Sequence, residues 1–316
     1  MHSIKRRAFT MIELVMVIVI LGIVSMIATD IIANMYKGYI QTKIVNDLES
    51  KTEMVINQVA KRLNYRIKPT MIARAKGTNN YLAMNSPDLN SSTIRYDMVE
   101  WIGYDYESFL GEHNGTFSVP GWSGFIDVNN SITSNATGQL LTPGSDLTIV
   151  DRTIKALSNN HVGFTAPAVH NPAVIFKCSQ DTSKLELYGW DYTAVNLVDH
   201  NYTMAVNIAN PDTLIIDGTQ VDATRSICEQ YYLAWTAYAI VPVGSDDEDF
   251  NLTLRYNYQP WYGDDYNTSL GNSLLAEHVS TFRVMQVGET LRIKVCIQDG
   301  NITGEPVGFC KEKAIF

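Results

Sequence analysis

The first thirty residues constrain this chain more than any other stretch. Lys5, Arg6 and Arg7 stand ahead of a run from Leu14 to Thr29 that carries no charge, and Glu13 is a single carboxylate at its mouth. A carboxylate at hydrocarbon depth is costly, so an ionisable group in such a segment marks function. A secretory signal has an unbroken apolar stretch with a small-residue cleavage site after it. Here the small residue lies before that stretch, and the expected cut falls between Ala8 and Phe9.

The basic head and Asp30 lie on opposite sides of the apolar segment. The positive-inside tendency keeps the head in the cytoplasm and sends everything after about residue 34 across the membrane. From Phe9 to Ala33 a helix runs about 37 Å, enough to span. The helical period then continues: Tyr36, Ile40, Ile44, Leu48, Val55, Val59 and Leu63 recur at three- and four-residue steps, with Thr52 as the one polar member of the stripe. Pro69 disfavours helix at Lys68, so the expected helix covers residues 9–67 and is about 88 Å long. Its first half, 9–33, meets lipid or neighbouring helices, and its second half lays one face on a globular domain.

The N-terminus resembles the class III signal of type IV prepilins and pseudopilins. Phe9, Thr10, Ile12, Glu13 and Leu14 match the Phe-Thr-x-Ile-Glu-Leu opening of the mature chain in that family, and Ala8 stands where the family has Gly. The resemblance implies a leader of residues 1–8 removed by a prepilin peptidase, which also methylates the new amine of Phe9. It implies that the Glu13 carboxylate meets the N-terminal amine of a neighbouring subunit and sets the axial register. The partners it implies are other pilin or pseudopilin subunits, through the N-terminal helix, and inner-membrane lipid. The location it implies is the bacterial inner membrane, single-pass, with the C-terminal domain in the periplasm until assembly. In this family's helix Gly22 would be a point of loosening; the other reading is a tolerated membrane glycine.

Residues 68–316 are long enough for one large or two small units. Residues 76–160 are rich in Asn, Ser, Thr and Gly, with short apolar pieces at Ile94–Tyr96 and Leu147–Val150, read as short strands and long loops, and are the candidate for an inserted sub-domain. Leu185–Leu187, Thr203–Ile208 and Thr213–Ile216 read as further strands. Tyr231–Val241 is apolar on both alternations, as a central strand would be. Thr281–Val287, Gly288-Glu289 and Thr290–Gln298 read as a hairpin, and Val307–Phe316 as a third strand. This C-terminal stretch resembles the larger J- and W-type pseudopilins and minor pilins. The fold class expected is α+β, a long N-terminal helix on a β-rich, pilin-like domain.

A net charge of −9 with no basic cluster beyond the leader sets the domain against phosphate, so no nucleic-acid partner is expected. Cys178, Cys228, Cys296 and Cys310 all fall in the exported part, where disulfides are the default state. Three pairings are open. Cys296 and Cys310 flank the last turn, which favours that pair and leaves Cys178 with Cys228. Zinc is the competing idea, opposed by the lack of any Cys-x-x-Cys or nearby paired histidine.

Asp246, Asp247 and Asp249, with Asp264 and Asp265, are calcium candidates, but the alternating spacing of a calcium loop is missing and a solvated acidic loop is the competing reading. No other cofactor or metal is expected. Trp190, Tyr192, Trp261, Tyr262 and Tyr266 suit either a stacking surface or cross-strand packing. Gly-x-Ser-x-Gly, His-Glu-x-x-His and phosphate-binding glycine loops are missing, and the six histidines are scattered, so an enzyme is not expected.

The function these features predict is a structural subunit of a type IV pilus or type II secretion pseudopilus. The bulk of the domain argues for a minor pilin or pseudopilin at or near the tip that primes assembly. The alternative is a membrane-anchored periplasmic or surface binding protein, adhesin-like and not built into a filament.

Overall fold

A computed structural model of the protein describes residues 10–91, 93–113, 115, 118–178, 183–192, 202–222, 227–244, 248–299 and 307–316. It has the α+β form read from the sequence, one long apolar helix followed by a β-rich globular domain. Helix α1 spans Met11–Asn64, 54 residues and about 81 Å. It stops three residues earlier than Pro69 alone requires because Tyr65–Ile67 already pair with the sheet. Ile67 N donates to Ile102 O at 2.9 Å and Tyr104 N donates to Tyr65 O at 2.9 Å.

Fifteen strands are seen among the described residues. The first five are β1 (Ile72–Arg74), β2 (Tyr81–Ala83), β3 (Met98–Gly103), β4 (Glu112–His113) and β5 (Ser118–Val119). Then come β6 (Gln139–Leu141), β7 (Ala173–Phe176), β8 (Met204–Asn210), β9 (Thr213–Ile216) and β10 (Tyr231–Ala234). The last five are β11 (Thr236–Val243), β12 (Phe250–Tyr256), β13 (Gly271–Val287), β14 (Thr290–Gln298) and β15 (Gly308–Ile315).

Two sheets stack. The larger has eight strands in the order β15-β14-β13-β12-β11-β3-β1-β2, and the smaller has five in the order β10-β7-β8-β9-β6. The C-terminal half of α1 covers one face of the larger sheet. Leu48, Val55, Ile56, Val59, Ala60 and Leu63 pack there on Trp101, Ile240, Leu252, Ile293 and Val295. The opposite face carries Ile72, Met98, Ile102, Ala237, Ala239 and Val241 and packs towards Ala173, Ile175 and Ala205 of the second sheet. A helix at Leu147–Ser158 closes the far side, burying Leu147, Val150 and Ile154 against Val174, Phe176, Val206 and Leu214. The layers are therefore helix, sheet, sheet, helix, and the middle strands are apolar on both alternations because both faces are covered.

The hairpin read at the C-terminus forms in the expected register, with Val287 opposite Thr290 and Gly288 at φ 59° in the turn. Four other local expectations are corrected. Leu147–Val150 opens a helix, not a strand. Asp146 caps it by accepting from Thr148 N at 3.1 Å, and Leu147, Val150 and Ile154 fall on one buried face. Leu185–Leu187 lies in a 3-10 turn, Leu185–Tyr188, that ends on Gly189 in the left-handed region. Ile94–Tyr96 precedes β3 without joining it. The run Tyr231–Val241 is two strands: the chain bends at Trp235, and β10 belongs to the smaller sheet while β11 belongs to the larger.

Both disulfides are formed, Cys178–Cys228 and Cys296–Cys310. Cys296 and Cys310 are direct cross-strand partners on β14 and β15, their Cα atoms 4.0 Å apart.

Candidate functional site

The site is built on α1, and its geometry follows from where the domain stops covering the helix. Every large apolar side chain from Met11 to Tyr39 is at least 48 % exposed, while Leu48 is buried and so is the stripe beyond it. Met11–Asn64 is long and apolar enough to cross a membrane, and none of its most apolar window is buried by the other described residues. Tyr36 opens the sequence stripe yet is exposed, and Ile40 is half-buried; docking begins at Ile44, half-buried against the core, and is complete by Leu48. Thr52 remains in the stripe because its hydroxyl donates to Leu48 O at 2.7 Å, which removes the cost of burying it. At the rim, Lys311 of β15 pairs with Glu53, and Lys313 Nζ donates to Asn57 Oδ1 at 2.6 Å. The helix runs unbroken through Gly22, where an added Cβ would meet nothing within 4 Å.

Glu13 lies in the first turn. Its Oε2 accepts from Thr10 N at 3.4 Å and from the Thr10 hydroxyl at 3.3 Å. A carboxylate there serves a helix N-terminus, whose unpaired N–H groups and dipole favour negative charge. Both of these bonds fall on Oε2. Ala8 and Phe9, the expected processing pair, lie outside the described residues.

The other sequence candidates divide. Asp246 and Asp247 also lie outside the described residues. Asp249 bonds His278 Nδ1 at 3.1 Å across β12 and β13, and Asp265 accepts from Asn267 N and Thr268 N at 2.7 and 2.8 Å in a tight turn. Asp264 sits apart from both uses, beside His161 and His170, two histidines that sequence reading left scattered. Eight residues of loop separate the two histidines in the chain, and no spacing motif announces that the loop folds back. Trp190, Trp261 and Tyr266 are buried in the seam between the sheets, and Tyr192 and Tyr262 pack against that core. The indoles donate to Thr70 O at 2.9 Å and to Asn171 O at 3.2 Å, so these rings pack the interior.

The same seam holds a buried ion pair. Arg74 Nε donates to Glu100 Oε1, and both side chains are fully enclosed. Tyr192 and Tyr258 donate their hydroxyls to Glu100 Oε2 at 2.5 and 3.0 Å, and burial together with that carboxylate holds both phenols well above their usual range. Arg74 Nη1 and Nη2 reach Asn79 Oδ1 at 2.8 Å and Trp190 O at 2.9 Å. With so many partners on both ions, the pair reads as architecture.

Neither a curated protein nor a solved structure matches the chain. Residues 4–29 match the family model described as the prokaryotic N-terminal methylation motif. The chain thus carries the class III signal of type IV pilins at the head of a helix that its own domain leaves bare, a signal that implies processing by prepilin peptidase and assembly with other pilins.

Proposed function

We propose that this protein is a minor pilin or pseudopilin, a structural subunit without catalytic role that enters a type IV pilus or type II secretion pseudopilus through α1. The observation that carries the reading is the methylation motif at residues 4–29 on a helix whose apolar side chains stay uncovered as far as Tyr39. In this reading the peptidase cuts between Ala8 and Phe9, and the new amine is a cation that needs a carboxylate at low dielectric. Glu13 of an adjoining subunit supplies it, and the bare Leu, Ile and Val surface packs helix on helix. Each ion alone is penalised in hydrocarbon and the pair much less so, which makes one register preferred over its neighbours.

The size of the head supports a place at or near the tip. Three layers packed on the end of α1, two sheets and a helix, would crowd the next subunit if repeated at every helical position. A tip subunit meets no such neighbour above it, and in that place it primes assembly.

The test is intact-mass spectrometry of the protein in membranes and in sheared filaments from the cells that make it. The expected chain begins at a methylated Phe9 and occurs in filaments far below the major subunit. A membrane-bound protein that keeps Met1 and never enters filaments would instead be an anchored surface protein.

A further inference from the structure

Two histidines and an aspartate meet where the two sheets join. His161 and His170 lie in the loop between the helix Leu147–Ser158 and β7, and Asp264 lies in the connection from β12 to β13. One ring nitrogen from each histidine and one carboxylate oxygen all fall within 4.8 Å of one another. They are the one group of three or more such ligands among the described residues. We propose that His161, His170 and Asp264 form a zinc site that clamps the smaller sheet to the larger.

The donor set has the right chemistry. Two imidazoles and a carboxylate suit Zn2+, with a water completing the tetrahedron. Tetrahedral bonds of about 2.0–2.1 Å place ligand atoms about 3.3 Å apart. The site therefore closes by at most about 1.5 Å on binding, within the reach of half-buried side chains. His170 is 19 % exposed and Asp264 26 %, so an ion can enter from solvent and still be largely shielded once bound.

The surroundings fix the ligands in advance. Gln259 is fully buried, and its Nε2 donates to Trp235 O at 3.0 Å, which turns its Oε1 towards His170 Nδ1 at 2.9 Å. With that oxygen accepting, Nδ1 of His170 carries the proton and Nε2 keeps the lone pair a metal needs. This is the usual second contact of a metal-bound histidine. Gln259 N donates to Asp264 Oδ2 at 3.1 Å, leaving Oδ1 without a hydrogen bond among the described residues. Tyr262 stacks on the His170 ring at 4.3 Å between centroids and an angle of 11°. His161 is brought into place by its own carbonyl, which accepts from Val169 N and His170 N at 3.0 and 3.1 Å. A bare His170–Asp264 ion pair, with Nδ1 and Oδ2 3.4 Å apart, would need neither His161 nor the Gln259 contact.

The experiment is a zinc titration of the full chain in detergent, stripped with chelator, read by elemental analysis after desalting. Absorption of the cobalt-substituted protein reports the four-coordinate geometry. One zinc per chain is expected, with a higher thermal midpoint. His161→Ala and His170→Ala should each weaken binding by about a hundredfold or more, since loss of an outer contact alone costs about 10–100-fold. His278→Ala, outside the cluster, should leave one zinc bound. Substoichiometric zinc on the wild-type chain overturns the proposal, and so does unchanged binding in His161→Ala.

Discussion

Arg74 on β1 and Glu100 on β3 are diagonal neighbours on the sheet face turned away from α1, and neither side chain touches water. The pair stands where the chain leaves the long helix and enters the larger sheet. It ties β1 and β3 to Trp190, Tyr192 and Tyr258 from two later segments. A buried ion pair is weak evidence of net stability, but breaking one is costly because the survivor keeps its desolvation penalty.

Glu100→Ala is therefore expected to destabilise the domain by about 3–5 kcal/mol, with a similar loss for Arg74→Ala. An apolar pair, Arg74→Met with Glu100→Leu, should recover much of that loss because no lone charge remains. Urea denaturation of the four proteins checks this. Additive losses in the double variant would mean the two ions act separately.

Asp105 provides a pH dependence. Burial lifts its carboxyl from the usual 3.8 to about 7, against an opposing hydrogen bond from Ser108 N at 3.2 Å. Oδ2 is buried without a hydrogen-bond partner among the described residues. Between those two values the native state holds a proton that the unfolded chain has released. Stability conferred by this group is thus intact below 3.8 and falls as pH rises to about 7, by about 1.4 kcal/mol per unit. Asp105→Asn removes the titration and should flatten the fall between pH 5 and pH 8. Denaturation midpoints at the two pH values measure it, and parallel slopes would contradict the assignment.

The two disulfides should differ in weight. Cys178–Cys228 closes a separation of 50 residues and Cys296–Cys310 one of 14. By chain entropy these contribute about 4 and about 3 kcal/mol. Paired Cys→Ala variants should lose stability in that order, as read by thermal unfolding under oxidising conditions. The reverse order would show that the short bridge, set between paired strands, acts mainly on the native sheet.

Much of this architecture is legible in the sequence because it is periodic or punctuated. The α1 stripe is read from its 3.6-residue recurrence, including Thr52, and the last hairpin from Gly288-Glu289 between two β-rich runs. What escapes depends on contacts between distant segments. The helix at Leu147–Ser158 is hidden in a region whose polar composition suggests loops, although Asp146 and the spacing of Leu147, Val150 and Ile154 were available signals. The break at Trp235 is invisible because both halves of Tyr231–Val241 are equally apolar, and only the existence of two sheets separates them. The cluster of His161, His170 and Asp264 spans about a hundred residues and has no motif, so only the fold can assemble it.

The claim that matters most is that the first turn of α1 works in assembly, and Glu13→Gln tests it most directly. The variant keeps the shape of the side chain and removes the charge, so membrane insertion should be equal or better. A neighbouring amine would lose its counter-ion, and the ratio of protein in sheared filaments to protein in the membrane should fall by about tenfold or more. Glu49→Gln, on an exposed part of the same helix, should leave that ratio unchanged. A Glu13→Gln protein that enters filaments at the wild-type ratio would contradict the account.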